Sequence, residues 1–162
     1  MSYSKKDMDN LLDTLKKDKK NPYSLDYWNE IKKDPFEWCV IFIPPEDSIY
    51  AGGYFKAKIV FPSNYPNSPP TFYFRTKIYH LNINSDNGKV CCTVLNRKTI
   101  REYLDAVYLM FIDENVGSPY NFEDVYNRDK EHNEYKNNAK DWVKKYASLD
   151  TFEDIKPDLF ND

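Results

Sequence analysis

The sequence predicts an α+β domain, and three observations predict it. An apolar stripe at helical spacing opens the chain. Four strand-like segments then follow one another with no helix between them. Two stretches of helical period close the chain.

The elements can be justified in order. Met8, Leu11, Leu12 and Leu15 fall at i, i+3, i+4 and i+7, with Lys and Asp on the other face. They predict a helix from residue 5 to about 20. Ser4 is placed to cap it, and Asn21-Pro22 to end it. Residues 27–31 are the first strand candidate. Residues 36–43 are apolar on both faces apart from Glu37, the pattern of an interior strand. Gly52-Gly53 marks a turn. Residues 54–61 then alternate Phe55, Ala57, Ile59 and Phe61 against Tyr54, Lys56 and Lys58, a strand period. Residues 71–75 make a fourth strand. Short connections of this kind give an antiparallel meander, not a βαβ sheet.

Residues 76–97 have no clear period and read as a long ordered loop. Loops of that length inside a compact domain are usually functional. Residues 99–112 carry Ile100, Tyr103, Leu104, Val107, Met110 and Phe111 on one side of a helix. Residues 122–146 end with Tyr135, Ala139, Trp142, Val143 and Tyr146 at helical spacing. An acidic tail over 148–162 carries Phe152, Ile155, Leu159 and Phe160, which suit a partner contact or packing back on the domain. The expected division is one domain over 1–147 followed by that tail.

Composition narrows the function classes. A chain of 162 residues buries roughly two-thirds of its unfolded surface and folds without a staple. Aromatics make up 17%, with 14 Tyr and 10 Phe, so a packed core is expected despite 30% charged residues. A net charge of −3 argues against a nucleic-acid partner. No apolar run approaches the roughly 20 residues that span a bilayer, so no membrane partner is expected. The N-terminus lacks a signal-peptide apolar region, and the expected location is cytoplasm or nucleus. The cysteines are Cys39, Cys91 and Cys92, two of them adjacent, with no CxxC. The histidines, His80 and His132, stand far apart. Neither a disulfide framework nor a metal site is expected, and no cofactor.

Cys91 is the candidate centre. A thiolate is a good nucleophile, and the thioester it forms stays activated toward amines. Spacing alone leaves a buried structural cysteine as the competing reading. The surrounding residues change the balance. Tyr50-Ala-Gly-Gly-Tyr-Phe55 is one motif. Phe61-Pro-Ser-Asn-Tyr-Pro-Asn-Ser-Pro-Pro70 is a second, with four prolines in nine residues. These cannot donate to a ladder and form a stiff excursion between two strands. Lys77-Ile-Tyr-His-Leu-Asn82 followed by Gly88-Lys-Val-Cys91 is a third.

Together these stretches resemble the ubiquitin-conjugating (UBC) family. The first is similar to its Tyr-x-Gly-Gly-x-Phe turn, and the second to its Phe-Pro-x-x-Tyr-Pro-x-x-Pro-Pro run at every fixed position. The third resembles its His-Pro-Asn motif and the Gly-x-Ile-Cys that ends in the active cysteine. Trp38, Thr99-Ile100, residues 115–121 and residues 142–147 extend the likeness, which covers about residues 5–147.

The resemblance implies a UBC-like fold and an acyl-carrier transferase. Cys91 would accept ubiquitin, or a ubiquitin-like modifier, from an activating enzyme. It would pass the modifier to a ligase or to a lysine of a protein substrate, with no cofactor. Asn82 matches the residue whose amide stabilises the oxyanion or orders the loop, with a simple turn-former as its other reading. Tyr79 and Ser118 match positions beside the incoming lysine, although Ser118 reads equally as a loop residue. His80 matches a hydrogen-bonded residue that structures the loop, and Cys92 falls at a core position. The alternatives are a conjugating enzyme for another ubiquitin-like modifier and a non-catalytic ubiquitin-binding scaffold. Scaffold variants lack the cysteine that is present here.

The sequence also departs from the family pattern. Leu81 stands in place of the usual proline. The Asn82-to-Cys91 interval is longer by one residue, within Ser85-Asp86-Asn87. Asn96-Arg97 leads almost directly into Thr99, so the usual Trp-Ser-Pro loop is shortened. Asn67 replaces an apolar residue in the proline run. Both of those loops contact ligases in the family, which implies an atypical ligase or substrate. Lys5, Lys6, Lys16, Lys17, Lys19 and Lys20 resemble the surface that docks the activating enzyme, and read equally as a solvated face.

Overall fold

A computed structural model describes residues 1–18, 21–25, 34–91, 97–112 and 132–148. Among these residues the order is α1 (Lys5–Lys17), β1 (Tyr23–Ser24), β2 (Glu37–Phe42), β3 (Phe55–Val60), β4 (Thr71–Phe74), α2 (Ile100–Leu109) and α3 (His132–Tyr146). The α+β class read from the sequence is the class observed.

Ser4 caps α1 as expected. Its hydroxyl accepts the N–H of Asp7, and the Asp7 carboxylate accepts the Ser4 N–H at 2.7 Å, a reciprocal capping box. Met8, Leu12 and Leu15 are buried, with Leu11 at the edge of the stripe. The helix ends at Lys17, short of the residue near 20 that periodicity suggested.

The four strands pair antiparallel in the order β1-β2-β3-β4, the meander that short connections predicted. β2 is an interior strand, as its two-sided apolar pattern required. The first strand is Tyr23–Ser24, and the candidate over 27–31 lies outside the described residues. Register explains the alternation. Trp38 faces Ile59, Val40 faces Ala57 and Phe42 faces Phe55, while Phe72 and Phe74 continue the row on β4. All of these are buried and form one core face.

Phe111, just past α2, fills the centre of that face. Its ring lies 5.2 Å from Phe55, 5.8 Å from Phe42, 5.8 Å from Tyr50 and 6.0 Å from Phe74. Thr99 caps α2 by accepting the Glu102 N–H at 3.2 Å. α3 buries Tyr135, Ala139 and Val143, three of the residues that set its expected period. The start expected for this helix at residue 122 lies outside the described residues. The C-terminus of α3 is tied to the sheet where Ala147 accepts the Tyr54 N–H at 2.9 Å. No helix among the described residues is long and apolar enough to cross a membrane.

Candidate active site

The segment that the sequence left without a period contains a hairpin of its own. Ile83 pairs with Val90. On either side of that pair, the Asn84 N–H donates to Lys89 at 2.9 Å and the Cys91 N–H donates to Asn82 at 2.8 Å. Asn82 and Cys91 are therefore directly opposite. Opposed residues send their side chains to one face, with Cβ atoms typically about 4.5–5.5 Å apart. Asn82, Asn84, Lys89 and Cys91 share that face. Ile83 and Val90 take the other, and both are buried in the core.

The return arm of this hairpin is stitched to the edge of β4. Tyr73 pairs with Lys89. The Phe74 N–H donates to Gly88 at 2.7 Å, and the Val90 N–H to Phe72 at 2.9 Å. Gly88 has φ +76°, and a Cβ there would lie 1.9 Å from the Phe74 carbonyl oxygen. Only glycine permits this approach. The extra residue near the tip is absorbed locally. Asn84 Oδ1 accepts the N–H of Asp86 at 2.8 Å and of Asn87 at 3.3 Å, while Gly88 donates back to the Asn84 carbonyl. The bonds below the tip keep Asn82 opposite Cys91.

His80 secures the other arm. The Asn82 N–H donates to His80 Nδ1 at 3.0 Å, so that nitrogen accepts and the proton sits on Nε2. Nε2 then donates to the Met110 carbonyl at 2.7 Å, beyond α2. Burial pushes the imidazole down to about 4, against the opposing pull of the Met110 carbonyl. His80 is a neutral bridge between the loop and the helix end, and its geometry is not that of a proton shuttle. Tyr50 stacks on His80 with centroids 5.6 Å apart, and its hydroxyl donates to the Tyr79 carbonyl at 2.6 Å.

The expected site residues fall as follows. Asn82 is 1% exposed and Cys91 is 8% exposed, so this strip meets solvent at the cysteine and not at the amide. The Tyr79 ring packs 5.2 Å from Tyr135 and 5.4 Å from Trp142, which ties the loop to α3. Ser118 and Cys92 lie outside the described residues. Leu81, which replaces the family's proline, is buried. A cleft of about 260 Å³ opens between residues 74–78 and 83–88. Neither Asn82 nor Cys91 lines it.

The sequence reading assigned no role to Tyr50, Gly88 or the Met110 carbonyl. Tyr50 and Gly88 stand inside the quoted motifs, and that was the available signal. A main-chain carbonyl leaves no signal in sequence.

Comparison with known proteins identifies relatives of this fold. A family model described as ubiquitin-conjugating enzyme matches residues 5–143. The structure of a Toxoplasma gondii ubiquitin conjugating enzyme E2 domain matches with a TM-score of 0.77 at 27% identity. The match covers 90% of this chain and 100% of that one. A candidate ubiquitin conjugating enzyme from Plasmodium yoelii matches with a TM-score of 0.77 at 26% identity, covering 91% of this chain and 99% of that one.

Proposed function

Since this chain belongs to the ubiquitin-conjugating enzyme family, we propose that it carries ubiquitin as a thioester on Cys91 and transfers it to a lysine or a ligase. The observation that carries this reading is the pairing of Cys91 with Asn82, joined at 2.8 Å on a hairpin anchored to β4 and to His80. It puts a thiol and an amide side chain on one rigid face.

The chemistry needs two steps. The Cys91 thiol attacks the thioester on an activating enzyme, forms a new C–S bond and releases the first thiol. A lysine amine then attacks the carbonyl carbon on Cys91. Charge builds on the carbonyl oxygen, the C–S bond breaks, the Cys91 thiolate leaves, and the amine's surplus proton passes to solvent with an amide formed. We assign the Asn82 amide as the donor for that oxygen. Such a donor is worth about 2.7–4 kcal/mol of transition-state stabilisation in oxyanion holes. Tyr79 and Ser118 are assigned to the approach of the lysine, and His80 to holding the loop. Neither step uses a metal or an organic cofactor. The activating enzyme and the ligase are the implied partners.

A charging assay tests the proposal. The protein is mixed with ATP, an activating enzyme and ubiquitin, and run on paired reducing and non-reducing gels. The expected result is a thiol-labile adduct heavier by one ubiquitin, lost in Cys91→Ala and kept in Cys92→Ala. An adduct formed only with another ubiquitin-like modifier would change the cargo and keep the mechanism. Failure with every modifier would favour the scaffold reading.

A further inference from the structure

The sheet has a second face, and its centre is closed. Trp38, Val40 and Phe42 turn to the core, so Cys39 and Ile41 between them turn the other way. Lys58 stands opposite Cys39, Lys56 opposite Ile41, and Tyr73 opposite Lys58, all on this outer side. Arg75 continues the row, with its guanidinium 5.6 Å over the Tyr73 ring. A face that met only water would leave its middle open. Cys39 is instead 3% exposed, Ile41 1% and Lys58 7%. Lysine is among the residues least often buried, so a covering segment is the simplest cause. The Glu37 carboxylate lies 3.6 Å from the Lys58 ammonium, yet with Lys56 and Arg75 the row carries more positive charge than negative.

The chain leaves α3 beside this row. The Ala147 carbonyl accepts the Tyr54 N–H at 2.9 Å, and Tyr54 stands two residues before Lys56. Residues 149–162 follow. Asp150, Glu153, Asp154, Asp158 and Asp162 outnumber their single cation, Lys156, and alternate with Leu149, Phe152, Ile155, Leu159 and Phe160. Acids interleaved with apolar side chains complement a basic row with Cys39 and Ile41 at its centre. Reach is sufficient. The six residues of β3 span about 20 Å, and the tail, extended, spans up to about 46 Å.

We propose that residues 149–162 dock in cis on the outer face of the sheet, with apolar side chains over Cys39 and Ile41 and carboxylates toward Lys56, Lys58 and Arg75. The inference is independent of the carrier reading of Cys91. Docking closes the face to any outside partner until the tail is displaced. The tail thereby sets access to a surface on the far side of the sheet from the core.

Cys39, a free thiol, is the reporter. The full chain is alkylated with iodoacetamide under native conditions, and peptide mass spectrometry reads the rate at Cys39 apart from the other cysteines. Two full-chain variants test the two parts of the contact. Phe152→Ser with Leu159→Ser removes apolar residues, and Glu153→Lys with Asp154→Lys reverses charge. Each should raise the Cys39 rate on the order of tenfold, with an unchanged far-UV circular dichroism spectrum, because only a local contact is lost. Zero-length carbodiimide cross-linking of the wild type needs no variant. It should join Lys56 or Lys58 to carboxylates of residues 150–162 within one chain. An unchanged Cys39 rate in both variants would overturn the proposal and assign the burial to the strands themselves. Protection that grows with protein concentration would overturn it in favour of a second copy's tail. Cross-links from these lysines that reach Glu37 but never the tail would overturn it too. None of these outcomes bears on the charging of Cys91, so the two readings stand or fall separately.

Discussion

The hydroxyl of Tyr50 donates to the main-chain carbonyl of Tyr79 at 2.6 Å, across 29 residues of sequence. Tyr50 is fully buried, and its ring also lies 5.6 Å from that of His80. The Gly-Gly turn and the loop bearing the candidate site are thereby one unit. Tyr50→Phe keeps the ring and removes the donor. The expected loss is about 1–2 kcal/mol of stability, read as a lower urea midpoint at unchanged slope. An unchanged midpoint would mean that water replaces the hydroxyl without cost.

Asn82→Ala should separate the two steps of the proposed reaction. The main-chain bonds of Asn82, to His80 Nδ1 and from Cys91, do not need its side chain. Loading of Cys91 should persist. Transfer to lysine should slow on the order of a hundredfold, as for loss of one oxyanion donor. Equal loss of both steps in single-turnover assays would reassign the amide to holding the loop.

Gly88→Ala should be among the more damaging single substitutions. The added Cβ meets the Phe74 carbonyl at 1.9 Å in a φ +76° backbone. Strain at positive φ costs of order 1–3 kcal/mol, and the clash adds to it by breaking the bond from Phe74. A thermal melt within a degree or two of the wild type would contradict this account. Gly52→Ala is the control, since it shares the positive φ but a Cβ there meets nothing within 4 Å.

His80 gives stability a pH dependence of definite sign. Its native value of about 4 lies below the ordinary 6.5 because burial disfavours the imidazolium. Between the two values the unfolded chain binds a proton that the native chain does not. The stabilisation is complete above about pH 6.5 and falls as the pH drops toward 4, by on the order of 3 kcal/mol. Denaturation series between pH 7 and 4 check this. His80→Gln should start less stable and lose less over that range.

The fold was largely legible in the sequence, for local reasons. Met8, Leu12 and Leu15 mark α1 by their spacing, Ser4 marks its start, and Phe55, Ala57 and Ile59 alternate along β3. Periodicity reports which side of an element meets the core, and Met8, Leu12, Leu15, Phe55, Ala57 and Ile59 are each buried as their period requires. The site was legible in a different way. His80, Asn82 and Cys91 were found because their motif is recognisable, and no period surrounds them.

What the sequence could not supply is the set of relations between distant residues. Pairing of Cys91 with Asn82, stitching of Lys89 to Tyr73, and the bridge from His80 to the Met110 carbonyl all depend on main-chain groups. Every residue carries the same N–H and C=O, so these partners have no signature in the side-chain code. The sequence by itself determined the α+β class, the helix stripes and the identity of the candidate nucleophile. The tertiary structure alone decided which face Cys91 shares with Asn82 and Lys89. That face follows from hydrogen-bond register, which is settled only when the sheet edge, the hairpin and the buried histidine meet.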